Sequence, residues 1–217
     1  GSYSDGNHRK FNFTFEEAEL SLLSSIDPYA RADLFLSYAR TPEGEYSSSL
    51  EEAYISTLSL PLNLKIRAGR FRLSVGRINP VHPHALPFTD LPAVSANFLG
   101  EEGLVDDAIS ISWIVPNPFD FYQEFVLDAG NGPTESPLFQ RSEVSRYLYL
   151  AHLKNFWETD ENTTLEFGLY GISGPNADQR STIAGAACCG SPTDSRIAPL
   201  PEAGKVPWVS RASLWNG

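Results

Sequence analysis

His82 and His84 stand two residues apart, between prolines, in the stretch "RINPVHPHALPFTD" at 77–90. Imidazole is the side chain most often used to ligate metals, so metal binding is the first chemistry to weigh. A zinc-like site needs further ligands in tetrahedral geometry. Here only Asp90 or a loop carboxylate is near, at no recognisable spacing, and no metal is expected. "GEEGL" at 100–104 sets two carboxylates side by side. Paired carboxylates can act as acid and base in glycoside hydrolysis, but sequence neighbours on a strand point to opposite faces. Hydrogen bonding at a loop base is the better reading. No nucleophile elbow, phosphate-binding loop, H-E-x-x-H or EF-hand pattern occurs. No catalytic set can be assembled, so neither an enzyme nor a cofactor is expected. Cys188 and Cys189 are adjacent. Neighbouring Cα atoms lie about 3.8 Å apart, below the usual disulfide range, so a bond between them would be strained.

The elements around these residues decide the matter. The chain has 217 residues, 41% of them hydrophobic, and a formal charge of −11. That size suits a single domain over 1–217, and the acidic balance argues against a nucleic-acid partner. No apolar run is long enough for a membrane-spanning helix. The opening "GSYSDGNHRK" is not a signal peptide, and there is no methionine; an excised piece of a longer protein is expected.

Helical periodicity is almost absent, whereas period-two alternation recurs. In "YARADLFLSYA" Ala30, Ala32, Leu34, Leu36 and Tyr38 share one face, and Arg31, Asp33, Phe35 and Ser37 the other. "DAISISWIV" and "TTLEFGLYG" alternate in the same way. Eight strands follow, at about 13–26, 29–40, 50–60, 64–75, 106–115, 119–128, 146–157 and 163–172. Most are as long as a tilted membrane-spanning strand, about 9–11 residues. "DP", "PLN", "PNP" and "TDEN" form tight turns. They alternate with long connections at 41–49, 76–105, 129–145 and 173–206. An up-and-down sheet then carries its turns at one end and its loops at the other, the layout of an outer-membrane barrel. Tyr29, Trp113, Phe119, Phe121, Phe156 and Trp157 collect at the turn end as an interfacial girdle would.

The expected fold is therefore all-β: an antiparallel up-and-down transmembrane β-barrel, of which this chain is a segment of about 8–9 strands. Residues 1–10 fall at the loop end, which implies a further strand upstream, and "VPWVSRASLWNG" reads as a ninth strand. If the apolar faces meet lipid, the opposite faces line a pore. That lining comprises Glu17, Glu19, Arg31, Asp33, Glu52, Tyr54, Lys65, Arg67, Glu124, Arg146, His152, Lys154 and Glu166. Charges there can pair across strands or filter ions; both readings stand. The long connection at 76–105 carries Pro80, His82, His84, Phe88 and Asp90 among many apolar residues. A solvated loop has no use for those, so it is expected to fold inward as a rigid constriction.

"SSIDPYARADLFLSYA", "EEAYISTLSLPLNLKIRAGRFR", "HPHALPFTD" and "LGEEGL" together resemble Gram-negative outer-membrane proteins of the phosphate-selective porin O/P-like group, within the porin superfamily. The resemblance covers about residues 11–172. It implies a larger barrel in the bacterial outer membrane, passing small solutes or ions by passive diffusion, with lipid as its surroundings; a homo-oligomer is left open. A phosphate-selective pore calls for a basic excess, which these strands lack. The alternative is a non-conducting barrel acting as a receptor, adhesin or structural protein.

Overall fold

The computed structural model describes residues 14–15, 17–41, 43–82, 85–86, 92–100, 103–119, 121–132, 136–139, 147–160, 163–176 and 179–192. Within them the chain forms one nine-stranded antiparallel sheet whose strands lie in sequence order. The strands are β1 Glu17–Ser25, β2 Ala30–Arg40, β3 Tyr46–Thr57, β4 Leu64–Arg72, β5 Val105–Ile114, β6 Tyr122–Gly130, β7 Leu148–Asp160, β8 Thr163–Asn176 and β9 Gln179–Pro192. The all-β, up-and-down expectation holds. The sheet is not closed: among the described residues β1 pairs with β2 alone and β9 with β8 alone. No helix among these residues is long and apolar enough to cross a membrane.

The tight turns are built by their own side chains. Asp27 Oδ1 accepts from the Tyr29 and Ala30 amides, at 2.7 Å each, an Asx turn. At "PLN" a 3-10 turn puts Leu62 at φ 62 and Asn63 at φ 57. Asn117 accepts from the Phe119 amide at 3.0 Å and donates to the Phe121 carbonyl at 3.0 Å.

Two connections differ from expectation. The loop placed at 41–49 is shorter, because β3 already begins at Tyr46. Ser47 to Ser49 pair with β2, and Ser37, Ser49 and Glu51 join their side chains by hydrogen bonds. The loop placed at 173–206 is also corrected. β8 runs to Asn176 and β9 starts at Gln179, so residues 173–192 are largely hairpin. The inward positions of β9 are mostly small, Ser181, Gly185, Ala187 and Cys189 among them, which hides the alternation. The proposed strand at 206–217 lies outside the described residues.

Register assigns the two faces, since partners across a ladder point the same way. Asp33, Tyr54 and Gly69 share one face, continued on β5 by Ala108 and on β6 by Gly130. Leu34, Ala53, Arg70 and Asp107 share the other. The first face is concave. Residues 73–82 leave β4 and lie against it, with Arg77 3.5 Å from Glu166 on β8 and His82 3.8 Å from Glu19 on β1. On a flat sheet β1 and β8 would stand about 34 Å apart. The five steps from Arg77 to His82 span at most about 17 Å even when extended, and the run is folded into turns, so the wall curves around the segment. Glycines on this face admit the side chains of adjacent strands. A Cβ at Gly168 would meet His152 Nε2 at 2.9 Å, and one at Gly185 would meet the Tyr170 ring at 2.4 Å.

A hydrophobic core joins the segment to the sheet. Leu73, Val75, Leu99 and Leu104 pack with Phe71, Ala108, Phe139, Leu148, Leu150 and Ile172. Leu99 comes from the short helix α1, Ala93–Leu99. Replacing the fully buried Leu104 with alanine should destabilise the fold by about 2–5 kcal/mol, read as a lowered denaturant midpoint.

Candidate functional site

The concave face carries the polar groups. Of the residues read as pore-lining, Glu17, Glu19, Arg31, Asp33, Glu52, Tyr54, Lys65, Arg67, Glu124, His152, Lys154 and Glu166 all fall on it by register. Arg146, His84, Phe88 and Asp90 lie outside the described residues; Pro80 and His82 belong to the inward segment. Asp33, Glu52, Asp106, Asp128 and His152 are only 1–5% exposed. Charges withdrawn from water need partners, and these have them.

Arg31 Nε lies 2.6 Å from Asp33 Oδ1 on its own strand, rather than on an acid of β1. Lys154 reaches Glu124 across the β6–β7 ladder at 3.4 Å. Arg67 lies over the rings of Phe71, at 3.9 Å, and Tyr54, at 5.2 Å, where the guanidinium gains a cation–π attraction. Glu19 reaches the segment: His82 Nδ1 lies 3.8 Å from Glu19 Oε2, and His82 Nε2 2.9 Å from Glu52 Oε1. The His82 ring packs on Phe35 with centroids 5.2 Å apart. The histidine that suggested a metal site is thus set between wall carboxylates of two strands. Among the described residues no group of three or more His, Cys, Asp or Glu side chains has metal-holding geometry.

Several contributors escaped the sequence reading. Arg72 shares its strand phase with the apolar set, yet reaches Glu51 at 3.8 Å and Glu52 at 3.7 Å, just past the end of the β3–β4 ladder. Asp128 Oδ2 accepts from the Ser74 amide at 2.9 Å. His152 Nδ1 meets the Ser74 carbonyl at 2.7 Å; a carbonyl only accepts, so Nδ1 carries the hydrogen. Asp106 Oδ2 accepts from the Gly132 amide at 2.7 Å. The alternation of β5 and β6 already places Asp106 and Asp128 with the inward serines; only their burial under the segment was illegible. Asn79 fastens both ends of the segment. Its amide nitrogen donates to the Leu73 and Leu104 carbonyls at 2.7 and 3.0 Å, and its oxygen accepts from the Leu104 amide at 2.6 Å.

The opposite face is apolar and uncovered. Leu20, Leu22, Ile55, Ile109 and Ile111 are 43–55% exposed. On β2, β4 and β5 register places Arg40, Arg70 and Asp107 on it, near the loop end. Cys188 falls on this face and Cys189 on the concave one, by their pairing with Phe167 and Glu166. Two aromatic belts border the band. At the turn end Phe119, Phe121 and Trp157 stack with centroids 6.1 and 5.3 Å apart, alongside exposed Trp113. At the loop end Tyr38 stacks on Tyr46 at 5.4 Å and Phe15 follows at 5.9 Å, with Tyr147 and Tyr149 exposed on β7's side. This second belt was not read from the sequence, because its members come from strand ends far apart in the chain.

No protein-family profile matches the chain, and no solved structure matches it. A protein of Aquifex aeolicus (strain VF5), described as uncharacterized, is 39% identical over 120 residues. The match takes in 55% of this chain and 24% of that protein, so the chain spans about a quarter of its relative's length.

Asn79→Ala removes three buried hydrogen bonds and takes the acceptor from the buried Leu104 amide, while the Leu73 and Leu104 carbonyls keep the Val75 and Leu73 amides. It should destabilise the fold by about 2–4 kcal/mol. Asn79→Asp should be no better, since it faces a carboxylate to two carbonyls. Denaturant midpoints of the two variants check this.

Proposed function

We propose that the chain is part of the wall of an outer-membrane β-barrel, a porin-like channel through which small solutes or ions diffuse passively. The observation that carries this is the reversed polarity of the sheet. Its charged face is buried and curved inward, while its large apolar side chains stand uncovered. A water-soluble sheet buries the opposite way, and an exposed apolar surface of this extent marks a contact with lipid or protein.

The aromatic belts favour lipid. Tyr38 on β2 lies four residues above Leu34, whose row runs through Ala53, Arg70 and Asp107. Tyr149 on β7 lies two residues below that row, through Ile109 and Ala129. Over five strand steps the loop-end belt therefore slips by about one residue per strand. With a rise of about 3.3 Å per residue and strands about 4.8 Å apart, that slope is a tilt of about 35–40°. Membrane barrels tilt by about 35–45°. Tyr149 and Trp157 are eight residues apart, about 26 Å along the strand. At that tilt the belts stand about 20 Å apart along the normal, close to the apolar band of about 25 Å in such barrels.

Inside, the concave face would border water, with its charges compensated in pairs. The inward segment at 73–82 would narrow the passage. The mixed charges of Arg31, Asp33, Lys65, Arg67, Glu124 and Lys154 support passage of polar solutes without a single-sign field. The resemblance to the phosphate-selective porin O/P-like group agrees with the architecture and is not extended to a solute. The open edges at β1 and β9 fit closure by further strands.

Full-length protein reconstituted in planar bilayers should give discrete conductance steps. A barrel that inserts but stays silent would support the non-conducting receptor or structural reading instead. Ile111→Arg tests the lipid-facing assignment separately. The site is already exposed, so in a water-soluble sheet the change would be nearly neutral. Facing lipid near mid-depth it should cost about 2–4 kcal/mol, measured by urea unfolding from lipid vesicles.

A further inference from the structure

The inward segment is fastened to the wall differently at its two sides. On one side, residues 73–77 are rooted on β6, β7 and β8. Leu73 and Val75 sit in the core with Leu148, Leu150 and Ile172. The Ser74 amide and carbonyl are both taken up, by Asp128 and His152, and the Leu73 amide donates to the Leu104 carbonyl at 2.9 Å. On the other side the segment reaches β1, β2 and β3 through His82, by side-chain contacts with Glu19, Glu52 and Phe35. Between the two lies a run of turns, with Val81 donating to the Ile78 carbonyl at 3.0 Å, and just past the latch Ala85 donates to the His82 carbonyl at 2.9 Å. Buried apolar packing with backbone hydrogen bonds resists opening, whereas a region held by a few polar side-chain contacts opens at lower free energy.

We propose that the inward segment is a hinged shutter, rooted on β6–β8 and latched to β1–β3 by His82. This rests on the channel reading and adds its regulation. With the latch closed, the segment crosses the concave face from one side of the wall to the other. With it released, the tip around 80–82 swings away from β1–β3 about the Asn79 and Ser74 anchors, and the passage beside β1–β3 widens. His82 is a positioning residue. It acts on solutes through the segment it holds.

Hydrogen exchange on the full-length protein in lipid tests the latch without relying on conductance. In His82→Ala, the Val81 and Ala85 amides should exchange at least tenfold faster, while the Leu73 and Val75 amides keep their rates. Glu52→Gln, which keeps the shape but removes the carboxylate charge, should move the same two tip amides in the same direction if the alanine variant folds poorly. Unchanged tip exchange in both variants would overturn the proposal. So would acceleration spread equally over tip and root, which would make the segment one rigid unit. In bilayers the variants should add brief openings of higher conductance to the wild-type level. Silence of the wild-type protein would count against the channel, while the exchange rates would still decide the latch.

Discussion

The structure depends on one inversion: the face of the sheet that carries its charges is the buried one. Removing Asp33, Glu52, Asp106 and Asp128 from bulk solvent is unfavourable unless each finds a partner. The fold supplies those partners from the segment between β4 and β5 and from neighbouring strands. Glu52 is met by His82 and Arg72, Asp128 by the Ser74 amide, and Asp106 by the Gly132 amide. The apolar residues then have no protein interior to occupy on the other face. The same alternation that buries the charges exposes Ile109 and Ile111.

The curvature follows from the same contacts. A short segment touches β1 at one end and β8 at the other, so the wall bends around it. Inward glycines such as Gly168 and Gly185 make the bend sterically feasible, because His152 and Tyr170 lie over the space a Cβ would fill. Packing, polar satisfaction and shape therefore share a single set of residues. Loss of an anchor such as Asn79 would loosen all three together.

Much of this was legible in the alternation. The first eight strands and the common face of the charged residues follow from period two alone, because each strand pairs polar with apolar positions without helical interference. The eight residues from Ser47 through Tyr54 read poorly at their start, since serines carry no face preference; their pairing rests on hydrogen bonds with β2. β9 was missed because small residues such as Gly185 and Ala187 leave no inward polar signal. Arg72 and Asn79 were illegible for another reason. Their roles arise where the chain leaves the ladder, and no period governs those positions. His82 was singled out from its type and spacing, yet its partners Glu19 and Glu52 are distant in sequence and were read only as lining.

The central claim is that the uncovered apolar face meets lipid while the alternate residues do not. Nitroxide labels placed singly along β5 from Asp107 to Ile114, in full-length protein reconstituted in lipid, test it most directly. Oxygen accessibility should oscillate with a period of two and peak at Ile109 and Ile111, where a polar relaxation agent has little access. Equal access of the polar agent to Ile111 and Ser112 would contradict the account.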